Sequence, residues 1–243
     1  MRALRNYWIH IQTFSYSNKT HLEESDDCEL CEPGFYCGTE GLTNVSGPCD
    51  RGFYCHRGSK ISNPYNTTSS GGPCPIGHYC PAQTSKPHEC PAGEYNNRTG
   101  QWECEKCCAG FYCPIGSETC SSECPKGHFC PPGTGHITEH PCPKGTYMND
   151  TGAQDESDCT PCDPGMYCPD KGQEEPSLFC AKGWYCERGA WSAKPDEIGT
   201  VNGSDCYCPN VTTGGMCLRG TYCPEGSSKP KPCDPGLYCF CIN

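Results

Sequence analysis

Apolar positions are few and scattered along this chain, and their pattern predicts neither long helices nor long strands. No stretch places apolar residues at i, i+3, i+4 and i+7 over several turns, and none alternates them over a long strand. The 29 Gly and 24 Pro residues recur too often for a helix longer than a turn or two. The pattern therefore predicts short strands, hairpins and irregular turns, with almost no helix.

The one regular feature is a cysteine motif in which a Cys is followed by two residues, a Gly, one residue, an aromatic and a second Cys. It occurs nine times, and the aromatic is Tyr in every copy except one. Such strict repetition indicates an elongated tandem array of small units. The Gly and aromatic positions are Gly34, Tyr36, Gly52, Tyr54, Gly77, Tyr79, Gly110, Tyr112, Gly127, Phe129, Gly165, Tyr167, Gly183, Tyr185, Gly220, Tyr222, Gly236 and Tyr238.

Each copy predicts a reversal of the chain directly after its first Cys. In Cys31-Glu32-Pro33-Gly34, Pro and Gly fit the central positions of a type II turn, where Gly supplies a positive φ. Where Pro follows Cys directly, as in Cys74-Pro75-Ile76-Gly77, Pro fits the second turn position and Gly the fourth. The aromatic ring is expected to pack over a neighbouring disulfide or turn rather than to serve as an exposed adhesive group.

Composition assigns the chain to the disulfide-rich class. Its 28 Cys residues exceed the roughly 8–10% of a chain that marks a disulfide scaffold. So many cysteines are useful as cross-links only in an oxidising compartment, which predicts an extracellular, secreted or cell-surface location. The even count favours full pairing.

N-glycosylation sequons support the same compartment. Seven asparagines are followed by a non-proline residue and then Ser or Thr, and they are spread along the repeats. N-linked glycans are the expected additions, and no cofactor is expected. The sequons are at Asn18, Asn44, Asn66, Asn97, Asn149, Asn202 and Asn210.

The two ends suggest a piece of a longer protein. Before Asn18 there is no apolar run of seven residues that would serve as a secretory signal, and the chain stops abruptly after Cys241. No segment approaches the roughly 20 apolar residues of a membrane span.

The spacing of the motifs predicts five segments. Residues 1–27 form a polar N-terminal segment or linker, or contribute a strand to a neighbour. Residues 28–89 hold a doublet and a single motif, 90–141 form a repeat unit, and 142–205 form a unit with an atypical insert. Residues 206–243 form a C-terminal unit that is expected to be truncated.

The phrase Cys90-Pro91-Ala92-Gly93-Glu94-Tyr95, followed by C-x-x-C and Gly-x-Tyr-Cys, resembles the ephrin-receptor-like cysteine-rich repeat of extracellular proteins. It is similar, more loosely, to tumour-necrosis-factor-receptor and EGF-like modules. The resemblance covers residues 28–241 and implies stalks, ligand-binding ectodomains or building blocks of surface appendages. The chain departs from the repeat at the adjacent Cys107 and Cys108, at Cys120, and at Cys206-Tyr207-Cys208.

Disulfide connectivity does not follow from spacing alone. Within the repeat we expect the two long loops to close on themselves, as Cys90–Cys104 and Cys142–Cys159. In the chain-entropy description each closure contributes about 3 kcal/mol.

Three patterns suggest metal chemistry, and each has a simpler interpretation. The C-x-x-C pairs, such as Cys104 with Cys107, match zinc spacing but are expected to be oxidised. The string His136-Ile137-Thr138-Glu139-His140 matches an inverted zinc-protease motif, but flanking Pro and Gly residues exclude the helix that it requires. The acidic stretch 150–158 lacks the order of an EF-hand loop, so a solvated loop is favoured over a Ca²⁺ site.

The remaining options are binding and structural roles. A formal charge of −11 without a basic patch excludes nucleic acid and anionic membranes as favoured partners, and no catalytic constellation is present. We therefore expect a non-enzymatic, glycosylated, disulfide-stapled repeat rod of a matrix, coat or surface filament that self-associates. The alternative is a ligand-binding or adhesive ectodomain of a cell-surface receptor, whose partner is another extracellular protein.

Overall fold

The computed structural model describes residues 15–20, 27–65, 70–195 and 213–235. In these ranges the structure forms ten two-stranded antiparallel hairpins, the 3₁₀ helix Glu156–Asp158, and isolated β-bridges that pair Tyr95 with Ser117 and His128 with Pro141. The predicted fold class of small disulfide-rich repeats with almost no helix is confirmed.

The chain divides into two compact units. Unit 1 comprises Met1–Lys106 and Cys113–Thr119, and unit 2 comprises Cys107–Tyr112 and Cys120–Asn243. In unit 1 the hairpins pair β1 (Ser15–Tyr16) with β2 (Glu29–Leu30), β3 (Phe35–Tyr36) with β4 (Gly47–Pro48), β5 (Phe53–Cys55) with β6 (Gly71–Pro73), β7 (His78–Tyr79) with β8 (His88–Glu89), and β9 (Glu94–Tyr95) with β10 (Glu105–Lys106).

Unit 2 repeats the arrangement. Its hairpins pair β11 (Phe111–Tyr112) with β12 (Ser122–Glu123), β13 (Thr146–Tyr147) with β14 (Thr160–Pro161), β15 (Met166–Tyr167) with β16 (Leu178–Phe179), β17 (Trp184–Cys186) with β18 (Gly214–Met216), and β19 (Thr221–Tyr222) with β20 (Lys231–Pro232).

Seven of the ten described hairpins contain one cysteine motif each, and we call a motif together with its hairpin a module; the other three hairpins begin at Ser15, Glu94 and Thr146 and belong to the long modules described below. The first Cys of the motif is the opening cysteine, the Gly is the turn glycine, and the second Cys is the closing cysteine. The short strand after the turn glycine pairs with the residues just before the next opening cysteine. In the first complete module, Phe35 and Tyr36 pair with Pro48 and Gly47, and the N–H of Cys49 then donates to the carbonyl of Gly34.

Gly34 adopts the positive φ that the sequence predicts, at +87°, and Gly77, which the sequence places in the fourth turn position, also has a positive φ of +72°. The prediction for modules in which Pro follows Cys directly is wrong in phase, because the N–H of His78 donates to the carbonyl of Pro75. Pro75 is therefore the first turn residue and Gly77 the third. The glycine stays in the third position because a positive φ is needed there in a type II turn.

A ladder of main-chain hydrogen bonds joins each module to the next within its unit. One rung runs from the turn-glycine N–H to the carbonyl at the closing position of the following module, at 2.7 to 2.9 Å. The donor and acceptor residues of this rung are Gly34 and Cys55, Gly52 and Cys80, Gly77 and Asn96, Gly93 and Cys113, Gly110 and Cys130, Gly127 and Met148, Gly145 and Cys168, Gly165 and Cys186, and Gly183 and Cys223.

A second rung points in the opposite direction. A glycine a few residues after the closing position, which we call the corner glycine, donates its N–H to the opening-cysteine carbonyl of the preceding module. Examples are Gly58 to Cys31 and Gly152 to Cys124, both at 2.8 Å. The ladder thus satisfies main-chain groups that would otherwise be buried without partners beside the bridges.

The core consists mainly of disulfide bridges. Most buried apolar residues in the described ranges are half-cystines, and the others include Met148, Ala153, Ala190, Pro64 and Pro195. Bridges Cys31–Cys37, Cys49–Cys55, Cys74–Cys80, Cys124–Cys130, Cys162–Cys168, Cys180–Cys186 and Cys217–Cys223 each close a loop of six-residue separation. With so little aliphatic packing, the bridges are the main source of stability.

Two long modules modify this plan. Cys90 is bonded to Cys104 and Cys142 to Cys159, so both predicted long-loop bridges are present in the structure. The closing position is then taken by a residue other than Cys, namely Asn96 or Met148, which are 4% and 7% exposed. The Asn96 amide donates to the carbonyl of His78 at 2.8 Å, so this buried polar group is satisfied.

The segment predicted to be an atypical insert in residues 142–205 has a counterpart in unit 1. Strands β5 and β6 and strands β17 and β18 are paired over three residues each, and both pairs end on a glycine of large positive φ. The sulfur of Cys49 lies 3.3 Å from the Ser62 carbonyl, and that of Cys180 lies 3.4 Å from the Ala193 carbonyl. The same module type therefore occurs once in each unit.

The N-terminal hairpin crosses the boundary placed between residues 27 and 28. Strand β1, Ser15–Tyr16, pairs with β2, Glu29–Leu30, in the register that β9 and β10 have. The N–H of Ser17 donates to the Leu42 carbonyl, as Met148 donates to Gln173. This hairpin is thus a long module, and its Cys28 is a free thiol.

Candidate functional site

The predicted glycosylation sites fall on recurrent places in the modules. Asn18, Asn97 and Asn149 each follow the closing position of a long module, and all three are exposed. Asn44 is exposed in the loop between β3 and β4. The other predicted sequons, at Asn66, Asn202 and Asn210, lie outside the described residues.

Two of the predicted aromatic positions, Tyr36 and Tyr54, pack across their own hairpins, whereas Tyr222 is 43% exposed. A Cβ on Gly47, the residue paired with Tyr36, would lie 3.3 Å from a carbon of the Tyr36 ring. Tyr54 lies against Gly72 in the same way. These rings are half-buried, so they cover the partner strand and contribute to packing. Gly236 and Tyr238 lie outside the described residues.

The C-x-x-C pairs do not close on themselves. Cys104 is bonded to Cys90, Cys159 to Cys142, and Cys162 to Cys168, so the members of a pair belong to different bridges. The extra Cys120 is bonded to Cys108, which resolves the adjacent pair Cys107 and Cys108 because Cys107 is also disulfide-bonded. Sulfurs in bridges are not thiolates, the form in which cysteine binds zinc. Cys206, Cys208 and Cys241 lie outside the described residues.

The protease-like string forms a turn in a surface loop. The Glu139 carboxylate accepts the N–H groups of Gly135 at 3.0 Å and of His136 at 3.3 Å. His136 contacts the Thr138 hydroxyl, whereas the His140 ring is stacked on Phe129. The string thus lacks the helix that would direct both imidazoles to one metal ion.

Glu139 is expected to make this loop sensitive to acid. The hydrogen bond from the Gly135 N–H holds the pKa of the Glu139 carboxyl below its ordinary 4.5, against the opposing effect of burial. Because the pKa of Glu139 is lower in the folded protein than in the unfolded chain, the carboxylate stabilises the folded loop at pH values above the unfolded pKa. This stabilisation is lost as the pH falls through the folded pKa. NMR titration should show the Gly135 amide shift following Glu139 with a midpoint below 4.5, and Glu139→Gln should abolish that titration. A midpoint at or above 4.5 would contradict the proposed contact.

The acidic stretch 150–158 caps the 3₁₀ helix. The Asp155 carboxylate accepts hydrogen bonds from the Ser157 hydroxyl and from the Ser157 N–H, the latter at 2.7 Å, and these two bonds, the hydroxyl first, lower the pKa of Asp155. The Asp158 carboxylate accepts the N–H groups of Gln154 and Asp155 in a capping box. These oxygens have local hydrogen-bond donors, so the stretch is explained by helix capping.

Sequence reasoning missed the corner glycines. All of those in the described ranges have positive φ, and the residue that replaces a glycine in one module, Gln83, has φ +69°. The signal was present in the sequence, because these glycines follow the closing position at a nearly constant distance. They are Gly58, Gly100, Gly116, Gly133, Gly152, Gly172, Gly189 and Gly226.

Comparison with known proteins adds no family assignment. No protein-family model matches the chain, and no curated protein matches it. The described part of the chain contains no helix with the length and apolarity needed to cross a bilayer.

Proposed function

We propose that this chain is a non-enzymatic structural glycoprotein of an extracellular matrix, coat or surface filament. Its resemblance to ephrin-receptor-like repeats supports this role, because that resemblance implies building blocks of extracellular assemblies. The disulfide-rich composition supports the compartment, since such bridges persist only under oxidising conditions.

The observation that carries the proposal is the main-chain ladder between modules. Its rungs use backbone N–H and carbonyl groups, so they persist while the side chains of the modules vary. The modules from Cys31 onward whose bridges are assigned also carry their own covalent staples, for example Cys31–Cys37, Cys49–Cys55 and Cys74–Cys80. A repeat built in this way interacts mainly with its neighbours, which suits an array that resists extension and proteolysis.

A second candidate function is a ligand-binding or adhesive ectodomain. It is favoured by apolar side chains that unit 2 leaves exposed, namely Phe179 at 58%, Met216 at 53% and Leu218 at 72%. Phe and Met are enriched at protein interfaces relative to the rest of a protein surface. This function needs a partner other than a second copy of the chain.

Assembly of the secreted protein separates these two functions. We expect the oxidised, glycosylated chain to form larger species as its concentration rises, visible as filaments or sheets in negative-stain microscopy and as a rising mass in sedimentation. Reduced and alkylated protein serves as the control, because it shows whether unfolded chains form the same larger species by non-specific association. Compact particles of one-chain mass at all concentrations would contradict the structural proposal and favour the ectodomain.

A further inference from the structure

The three long modules carry a sequon at one and the same structural position. In each, a Tyr at the end of the first strand is followed by the closing-position residue and then by Asn-x-Thr. Asn18, Asn97 and Asn149 therefore occupy the place that Pro takes in several short modules, for example at Pro81 and Pro131. Pro cannot accept a glycan, so the long modules are the ones that offer an acceptor here.

The acceptor Asn97 differs from the neighbouring Asn96 in its exposure and in the hydrogen bonding of its side chain. Asn96 is 4% exposed, and its side chain both donates to the His78 carbonyl and accepts the Arg98 N–H. Asn97 is exposed, and no hydrogen bond holds its side-chain amide in the described structure. Asn149 is exposed in the same way beside the buried Met148.

The folded ladder holds the chain on both sides of each sequon. Before Asn97, the N–H of Asn96 donates to the Ser117 carbonyl at 3.0 Å, and after Thr99 the N–H of Gly100 donates to the Cys74 carbonyl at 2.8 Å. The sequon at Asn149 is held in the same way. The N–H of Met148 donates to the Gln173 carbonyl at 2.9 Å, and the N–H of Gly152 donates to the Cys124 carbonyl at 2.8 Å. An enzyme that must draw the tripeptide into its cleft needs these bonds to be absent.

The disulfide bridges add a covalent restriction at two of the three sites. Asn97 lies midway between Cys90 and Cys104, and Asn149 lies inside the loop that Cys142–Cys159 closes. Asn18 lies in the long module whose Cys28 is a free thiol, and Asn44 lies between bridges rather than inside one. Closure of a loop this short restricts the conformations available to the enclosed acceptor.

We propose that Asn97 and Asn149 receive their glycans before the enclosing bridges close, so that glycosylation and oxidation compete in the two bridged long modules. This inference rests on the proposed function as a secreted glycoprotein. In the transfer, the side-chain amide nitrogen bonds to the anomeric carbon of a lipid-linked oligosaccharide diphosphate. The bond from that carbon to the diphosphate oxygen breaks, the lipid diphosphate leaves, and one amide proton is lost. In the competing step, two thiols become a disulfide as a disulfide-carrying oxidant protein of the secretory compartment is reduced to its dithiol.

The test compares site occupancy with and without each bridge in the full chain, expressed in a eukaryotic secretory cell. Thr99→Ser and Thr151→Ser are included in every arm, because a serine sequon is used less completely and leaves room for an increase. One arm adds Cys90→Ser with Cys104→Ser, and a second adds Cys142→Ser with Cys159→Ser. The control arm adds Cys31→Ser with Cys37→Ser, whose bridge encloses no sequon. Occupancy is read by peptide mass spectrometry after enzymatic deglycosylation in heavy-oxygen water.

We expect loss of the Cys90–Cys104 bridge to raise occupancy at Asn97 about twofold or more while Asn149 stays unchanged, and loss of Cys142–Cys159 to do the reverse. Unchanged occupancy at the enclosed site, including complete occupancy in all arms, would overturn the inference. An equal rise at Asn97 in the control arm would also overturn it, because slower folding in general would then be the cause. Glycan at Asn44 together with either result leaves the proposed function intact, whereas absence of glycan at every sequon contradicts both proposals.

Discussion

Reduction of the bridges is expected to unfold both units completely, without added denaturant. Most buried apolar residues in the described ranges are half-cystines, and the packed clusters that include other residues are small, such as Met148 and Ala153 beside Cys142–Cys159. Once the sulfurs are thiols, little aliphatic surface is left to offset the conformational entropy of the chain.

The free energy of unfolding that the bridges contribute is expected to exceed the net stability of an ordinary domain. In the chain-entropy description a bridge across a six-residue separation contributes about 2 kcal/mol and the longer ones about 3 kcal/mol. The ten bridges with assigned partners therefore contribute more than about 20 kcal/mol. Net stabilities of domains are about 5–15 kcal/mol.

Near-ultraviolet circular dichroism and resistance to proteolysis measure this loss. Reduced and alkylated protein should show no tertiary dichroism and should be cleaved throughout, whereas protein that is alkylated without reduction should remain unchanged. Protected backbone amides at the turn glycines in the reduced protein would show that the ladder holds the fold without the bridges.

Replacing Gly110 by Ala is expected to disrupt the ladder in unit 2. A Cβ on Gly110 would lie 2.6 Å from the Gly152 carbonyl oxygen, and a backbone atom at that distance must move. The change also places a side chain at φ +81°, which costs about 1 kcal/mol. The steric clash adds about 1–3 kcal/mol, so we expect Gly110→Ala to lower the free energy of unfolding by roughly 2–4 kcal/mol in total.

Gly152→Ala is the matched control. Gly152 has φ +80°, but a Cβ there would meet no atom within 4 Å, so only the strain of about 1 kcal/mol remains. Thermal melts of the oxidised proteins, with hydrogen exchange at the Gly110 and Gly127 amides, compare the two variants. Equal losses of stability in Gly110→Ala and Gly152→Ala would mean that only the backbone strain of a positive φ acts. The close approach of the two modules at Gly110 would then be absent.

The fold class could be predicted because the features that determine it are local. Cysteine spacing, the glycine at each turn and the scarcity of aliphatic residues all act within a few residues, and they led to hairpins and bridged loops. The positive φ at Gly34 follows from the same turn chemistry.

The contacts between modules could not be predicted in the same way. The bond from Gly34 to Cys55 joins two backbone groups, so the sequence does not show which carbonyl accepts the glycine N–H. The burial of Asn96 was missed because a polar residue takes the place of a closing cysteine, and only the ladder shows the equivalence. The turn phase at Pro75 was wrong because Pro is compatible with more than one turn position.

Disulfide mapping of the secreted protein tests the central claim most directly, namely that each module from Cys31 onward is stapled within itself in an oxidising compartment and joined to its neighbours by backbone bonds. Mass spectrometry of non-reduced peptides should find bridges that close six-residue loops such as Cys124–Cys130, together with Cys90–Cys104, Cys108–Cys120 and Cys142–Cys159. Bridges that close C-x-x-C pairs, such as Cys159 with Cys162, or cysteines recovered mainly as free thiols, would contradict it.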